Sequence, residues 1–153
     1  MDSGTLFIQR KGKSLNELAF TDTELAYNTS NVSMLSGHLF KTPTDMAIRR
    51  ATSTDESDRL MIVNGGDGSL TVFSLLRSQE VTAPARFTTD GEFKAVGVDV
   101  DAIYVVVKRT INSSDQYFVE YFDSSLHLDS GVFSASSAST IGAAHLNTET
   151  VKV

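Results

Sequence analysis

Residues 84–123 read PARFTTDGEFKAVGVDVDAIYVVVKRTINSSDQYFVEYFD, and this stretch decides the fold class. It holds three apolar runs, at 93–100, 103–108 and 117–122, with turn residues between them. Ile103-Tyr104-Val105-Val106-Val107 is an unbroken β-branched and aromatic run, too short for a typical helix. It predicts a strand buried on both faces. In the third run Tyr117, Val119 and Tyr121 alternate with Phe118, Glu120 and Phe122, so both faces are again largely apolar. Thr89-Asp90-Gly91 and Asn112-Ser113-Ser114-Asp115 supply turn chemistry. The expectation is an antiparallel meander covered on both sides, within a stack of small sheets. Val105, Phe118, Phe122, Ile62 and Phe73 are the expected core.

Outward from this stretch the same grammar repeats. Residues 5–10 (TLFIQR) and 15–20 (LNELAF) flank Lys11-Gly12-Lys13-Ser14, a hairpin signal. Residues 21–28 are polar and read as irregular. Residues 31–40 are the one helix candidate, a turn or two capped by Ser30 or Asn31 and interrupted by Gly37. Residues 45–51 and 59–63 predict strands. The turn Asn64-Gly65-Gly66-Asp67-Gly68-Ser69 leads into another strand at 70–76. Strand, Asp-Gly turn, strand also recurs in β-propeller blades. The predicted class is therefore all-β, antiparallel meanders resembling propeller blades, with one short helix near 31–40. Three segments are expected: a β domain at 1–123, a Ser/Ala/Gly-rich loop or linker at 124–144, and the start of a further strand or domain at 145–153.

Composition bounds the function. The 153 residues suit one domain with its own core. No apolar run approaches the roughly 18 residues that span a bilayer, and the N-terminus shows no basic start followed by an apolar core. Cysteine is absent, which removes disulfides and thiolate metal sites and fits a reducing compartment. The net charge of −6 lacks the Lys/Arg excess that neutralises DNA phosphates. The short basic clusters Arg10-Lys11-Gly12-Lys13, Arg49-Arg50 and Lys108-Arg109 read as solvated strand ends.

Single residues give no catalytic, cofactor or metal site. Asp99 with Asp101, and Glu120 with Asp123, are the carboxylate pairs that glycoside hydrolysis would need, but Asp beside a tight connection is a turn former. His38, His127 and His145 lack the spacing of a helical metal site. Residues 64–69 lack the Gly-Lys-Ser/Thr ending of a phosphate loop and the spaced acids of a calcium loop. The glycosylation sequons at Asn28, Asn31 and Asn112 fall in a Ser/Thr-rich chain and read as coincidental. The absence of Trp speaks against an aromatic sugar platform.

An ordered series of short segments carries a resemblance. It begins with Leu6-Phe7-Ile8-Gln9-Arg10, Leu15-Asn16-Glu17-Leu18 and Asn31-Val32-Ser33-Met34-Leu35-Ser36-Gly37-His38-Leu39-Phe40. Asp67-Gly68-Ser69-Leu70, Gln79-Glu80-Val81 and Asp90-Gly91-Glu92-Phe93 follow. Ile103-Tyr104-Val105-Val106-Val107-Lys108-Arg109 and Phe118-Val119-Glu120-Tyr121-Phe122-Asp123 close it. In order and spacing the series resembles the tail nozzle proteins of podovirus-type phages, the tail tubular protein B family, and related prophage stabilisation (virion) proteins. The family usually has Trp after the Gln-Glu-Val piece, where this chain has Ala83-Pro84-Ala85-Arg86-Phe87. Its members are several times longer, so the resemblance covers a middle portion. It implies a non-enzymatic structural protein of a phage tail, without cofactor, assembled in the host cytoplasm and residing in the virion. The implied partners are further copies in a homo-oligomeric ring, an adaptor above and tail fibres beside, with no specific nucleic-acid binding and no membrane span. The alternatives are a propeller-type glycan-binding or hydrolase module, and a cellular β-rich interaction scaffold.

Overall fold

The computed structural model describes residues 4–53 and 55–131. Among the described residues ten strands form three antiparallel sheets, each built from consecutive strands. The first contains β1 (Thr5–Ile8), β2 (Leu15–Thr21) and β3 (Ala26–Asn31). The second contains β4 (Pro43–Arg49), β5 (Asp58–Asn64), β6 (Leu70–Leu76) and β7 (Val81–Phe87). The third contains β8 (Glu92–Asp99), β9 (Ala102–Ile111) and β10 (Ser114–Tyr121). The chain is thus all-β, as its alternating apolar runs and turn residues predict.

Period-two alternation in β5 and β6 divides the interior into two cores. Met61, Val63, Leu70 and Val72 face the third sheet and pack on Phe93, Val96, Ile103, Val105 and Val107. Leu60, Ile62, Phe73 and Leu75 face the first sheet and pack with Leu15 and Phe40, flanked by Leu6, Ile8, Val32 and Ile48. The middle sheet is therefore covered on both faces, and the two outer sheets are covered on one face each. Val105, Ile62 and Phe73 are buried as expected.

Phe118 and Phe122 are not. They are 37% and 40% exposed, because β10 is the outermost strand of its sheet and no described strand lies beyond it. The both-faces-buried expectation for β9 is also corrected. Ile103, Val105 and Val107 are enclosed, whereas Tyr104 on the opposite face is 40% exposed. Sequence alternation shows that both faces are apolar but not whether a second layer exists to cover each.

Two strands lie where none was predicted. β3 begins in the polar region, and every one of its residues is exposed. It is held by its ladder to β2 and by an edge-on contact of Tyr27 with Phe20, ring centres 5.3 Å apart. β7 is likewise exposed throughout and contains Pro84, which an edge strand tolerates because one side of its backbone needs no ladder partner.

The helix expected near 31–40 is reduced to a single 3₁₀ turn, Gly37–Leu39. Asn31 Oδ1 accepts the Ser33 N–H at 2.9 Å, and Ser33 Oγ accepts the Leu15 N–H at 2.8 Å. Asn31, one of the two expected caps, thus makes a local turn, and Ser33 fastens that turn to β2. Met34 and Leu35 are exposed, so a helix there would have no apolar stripe to bury. Of the segment predicted as a linker at 124–144, residues 124–131 contain no strand or helix. Residues 132–144 and the strand start expected at 145–153 lie outside the described residues.

Candidate functional site

The predicted turn 64–69 is a structural clamp. Asn64 is fully buried at the end of β5. Its Nδ2 lies 3.0 Å from the Leu39 carbonyl, 3.0 Å from Ser69 Oγ and 2.9 Å from Thr71 Oγ1, and its Oδ1 accepts the Lys41 N–H at 3.0 Å. One amide thereby ties the 37–41 segment to the β5–β6 hairpin. Asp67 Oδ1 accepts the Ser69 N–H and hydroxyl, and Arg86 donates to Oδ2 at 3.1 Å. Burial pushes the Asp67 carboxyl up, but these donors outweigh it and leave it below the usual range. Gly68 has φ +67, and a Cβ there would meet Glu92 at 2.6 Å. The Gly68 carbonyl accepts the Phe93 N–H at 2.8 Å, which joins the hairpin tip to the third sheet.

Three of the four carboxylates weighed for glycoside hydrolysis are engaged in other bonds. Asp101, in the β8–β9 turn, lies 3.4 Å from Arg49, and Asp99 is exposed at the end of β8. Glu120 forms a two-pronged pair with Arg109, both contacts 2.8 Å. Asp123 accepts the Ser125 N–H and hydroxyl at 2.8 and 2.6 Å, and these bonds hold its carboxyl low. His38 and His127 are exposed on separate segments, and His145 lies outside the described residues. Among the described residues no group of three or more His, Asp or Glu is placed to hold a metal ion, and no helix is long and apolar enough to cross a membrane.

Two of the basic clusters are not simply solvated ends. Arg109 is buried, because its position in β9 points it inward with Ile103, Val105 and Val107. Beyond Glu120 it reaches Asp129 at 3.3 Å and donates to the Asp90 carbonyl. Arg49 is nearly enclosed and bonded to Glu56 at 2.8 Å. Arg10, Lys11 and Lys13 are exposed, as expected. The alternation of β9 carried the signal for Arg109, which falls in register with its buried valines.

Two surfaces remain. The first is a groove of about 750 Å³ at the rim between β7 and β10, whose walls include Phe87, Phe93, Val105, Phe122 and Leu126. Phe87 and Phe122 meet edge to face, centroids 5.9 Å apart. The second is the pair of open faces at the ends of the stack. Register places Tyr104, Val106, Tyr117, Val119 and Tyr121 on the face of the third sheet that points away from the core. Val119 is 75% exposed there. Phe7, Leu18, Phe20 and Tyr27 form the matching outer face of the first sheet, with Tyr27 71% exposed. Apolar faces of this kind are the usual mark of an interaction surface. No family model matches the chain, and no curated protein matches it significantly.

Proposed function

We propose that this chain is a structural module of a phage or prophage tail, of the nozzle type, acting in the virion as part of the wall of the DNA conduit. The observation that carries the reading is the stack itself. Three meanders lie face on face, in the manner of successive propeller blades, and the stack ends in two unlike apolar faces. A second copy covers them best when the outer face of the first sheet packs on the outer face of the third sheet of a neighbour. Self-pairing through a twofold axis would satisfy one face and leave the other open, whereas head-to-tail contact satisfies both and makes a ring where the rotation between neighbours closes. The ordered sequence segments that resemble tail nozzle proteins support the same assignment. An adaptor above and fibres beside complete the proposed assembly. The acidic balance suits a conduit that DNA must traverse without adhering.

The test is light scattering on the purified protein together with imaging of purified particles. A closed oligomer and presence in the tail support the reading. A protein that stays monomeric and is missing from particles removes it. A propeller-type glycan-binding or hydrolase module is the second reading, favoured by the placement of Tyr121, Phe122, Glu120 and Asp123 along one groove. Specific retention of an oligosaccharide on a glycan array would replace the first reading with this one.

A further inference from the structure

Residues 122–131 form no strand, yet they run back across the rim groove to the start of the third sheet. At the near end the Phe122 N–H donates to the Ile103 carbonyl at 3.1 Å, and the Phe122 ring rests on Phe87. The middle adds little burial, since Leu126 is half exposed and Leu128 largely so. Among the described residues the far end is held by one side chain. Asp129 Oδ1 accepts the Thr89 hydroxyl at 2.7 Å, and its Oδ2 accepts the Asp90 N–H at 2.8 Å. Arg109 Nη2 completes the set at 3.3 Å.

We propose that residues 122–131 are a releasable strap over the β7–β10 groove, and that Asp129 is its latch. The receiving side is built independently of the strap. Arg109 is oriented by its two-pronged pair with Glu120 and by its bond to the Asp90 carbonyl, so the guanidinium stays in place when Asp129 leaves. Thr89 and Asp90 belong to the β7–β8 connection, which Gly91 allows to turn with φ +141. A Cβ at Gly91 would lie 2.4 Å from the Lys108 carbonyl, so this connection is pressed against β9. Latch bonds of a half-exposed carboxylate compete with water and are individually modest. Apolar packing of the exposed leucines does not replace them. Release bares the buried Phe93 and Val105 beside the already part-exposed Phe87, between the second and third sheets. This device stands apart from the tail reading and holds or fails on its own.

Hydrogen–deuterium exchange on the whole chain tests it, comparing Asp129→Ala with Ser130→Ala as a neighbouring control. Loss of the latch should speed exchange about tenfold in peptides covering 88–93 and 122–131, the equivalent of removing one or two charge-assisted bonds. Peptides from β5 and β6 should not change. Binding of a hydrophobic fluorescent dye should rise in Asp129→Ala alone. Thr89→Val removes one latch donor from the opposite side, so a smaller acceleration in the same peptides is expected. Unchanged exchange at 122–131 in Asp129→Ala would overturn the proposal, because the strap would then be held by its apolar contacts. Acceleration spread equally over β5 and β6 would overturn it too, since Asp129 would then support the whole fold.

Discussion

Removing the side chain of Asn64 would take a hydrogen bond from four partners at once: the Leu39 carbonyl, the Lys41 N–H, Ser69 Oγ and Thr71 Oγ1. The Thr71 hydroxyl and the Leu39 carbonyl keep their mutual bond at 2.9 Å and Ser69 keeps Asp67 at 2.6 Å, whereas the Lys41 N–H loses its acceptor. A buried group left without its partner is costly, so Asn64→Ala should lower unfolding free energy by about 2–4 kcal/mol in urea titrations. Asn64→Asp should not rescue it, because a carboxylate cannot donate to the Leu39 carbonyl. Phe118 gives the opposite lesson. A fully enclosed Phe→Ala change costs about 3–5 kcal/mol, whereas Phe118 is partly exposed on an outer strand. Its truncation should cost about 1–2 kcal/mol, since only part of its area leaves water. The sequence shows that Phe118 is apolar and in register with Val107; the missing neighbour strand is what leaves it open.

At the scale of elements, turn chemistry decides most boundaries. Asn112 and Ser113 have φ +49 and +62, the conformation of a two-residue hairpin turn that Asn accepts readily. The β8–β9 turn is less well matched. Val100, exposed and β-branched, is held at φ +53, a region that costs an L-residue about 1–2 kcal/mol. Val100→Gly should raise stability by about 0.5–1 kcal/mol after the entropy of the glycine is subtracted. A thermal melt reads this directly, and an unchanged or lower Tm would show that the turn is unstrained. Strands β5, β6, β8 and β9 were legible because each carries an apolar face into a core. β3 and β7 were not, because their stability comes from backbone ladders to β2 and β6, which leave no trace in side-chain pattern. The expected helix failed where Ser33 found a tertiary partner in Leu15.

For the whole molecule, the open faces and the charge pattern make separable predictions. Val119→Lys and Leu18→Glu place charges on opposite ends of the stack and touch neither core. Each should change monomer stability by no more than about 0.5 kcal/mol, yet abolish the proposed ring in light scattering. Retention of the oligomer in both variants would show that other surfaces make the contact. Micromolar DNA binding at physiological salt would likewise remove the conduit picture. Acid should weaken the fold. Arg49 holds the Glu56 carboxyl low, Lys94 does so for Glu92, and Lys108 does so for Asp115. Asp67 and Asp129 are pushed up by burial but end low through their donors. A carboxyl with a folded pKa below its unfolded value adds stability above the unfolded value, and loses it as pH falls through the folded one. Melting temperature should therefore be level above about pH 5 and drop below about pH 4.

The sequence by itself determined the class and most of the strand order. β-branched runs joined by short Gly, Asn and Asp turns favour antiparallel meanders, because parallel pairing needs longer crossovers. It also determined that both faces of the later strands are apolar. Only the tertiary structure decided which of those faces is covered, because coverage depends on where a second sheet lies and not on the strand's own residues. The same reason explains Arg109. As sequence it is one of two basic residues at a strand end, and its burial follows from Glu120 across the ladder and Asp129 in the returning segment. Charge pairs between segments 11 and 20 residues apart are set by the path of the chain, and local pattern does not encode that path.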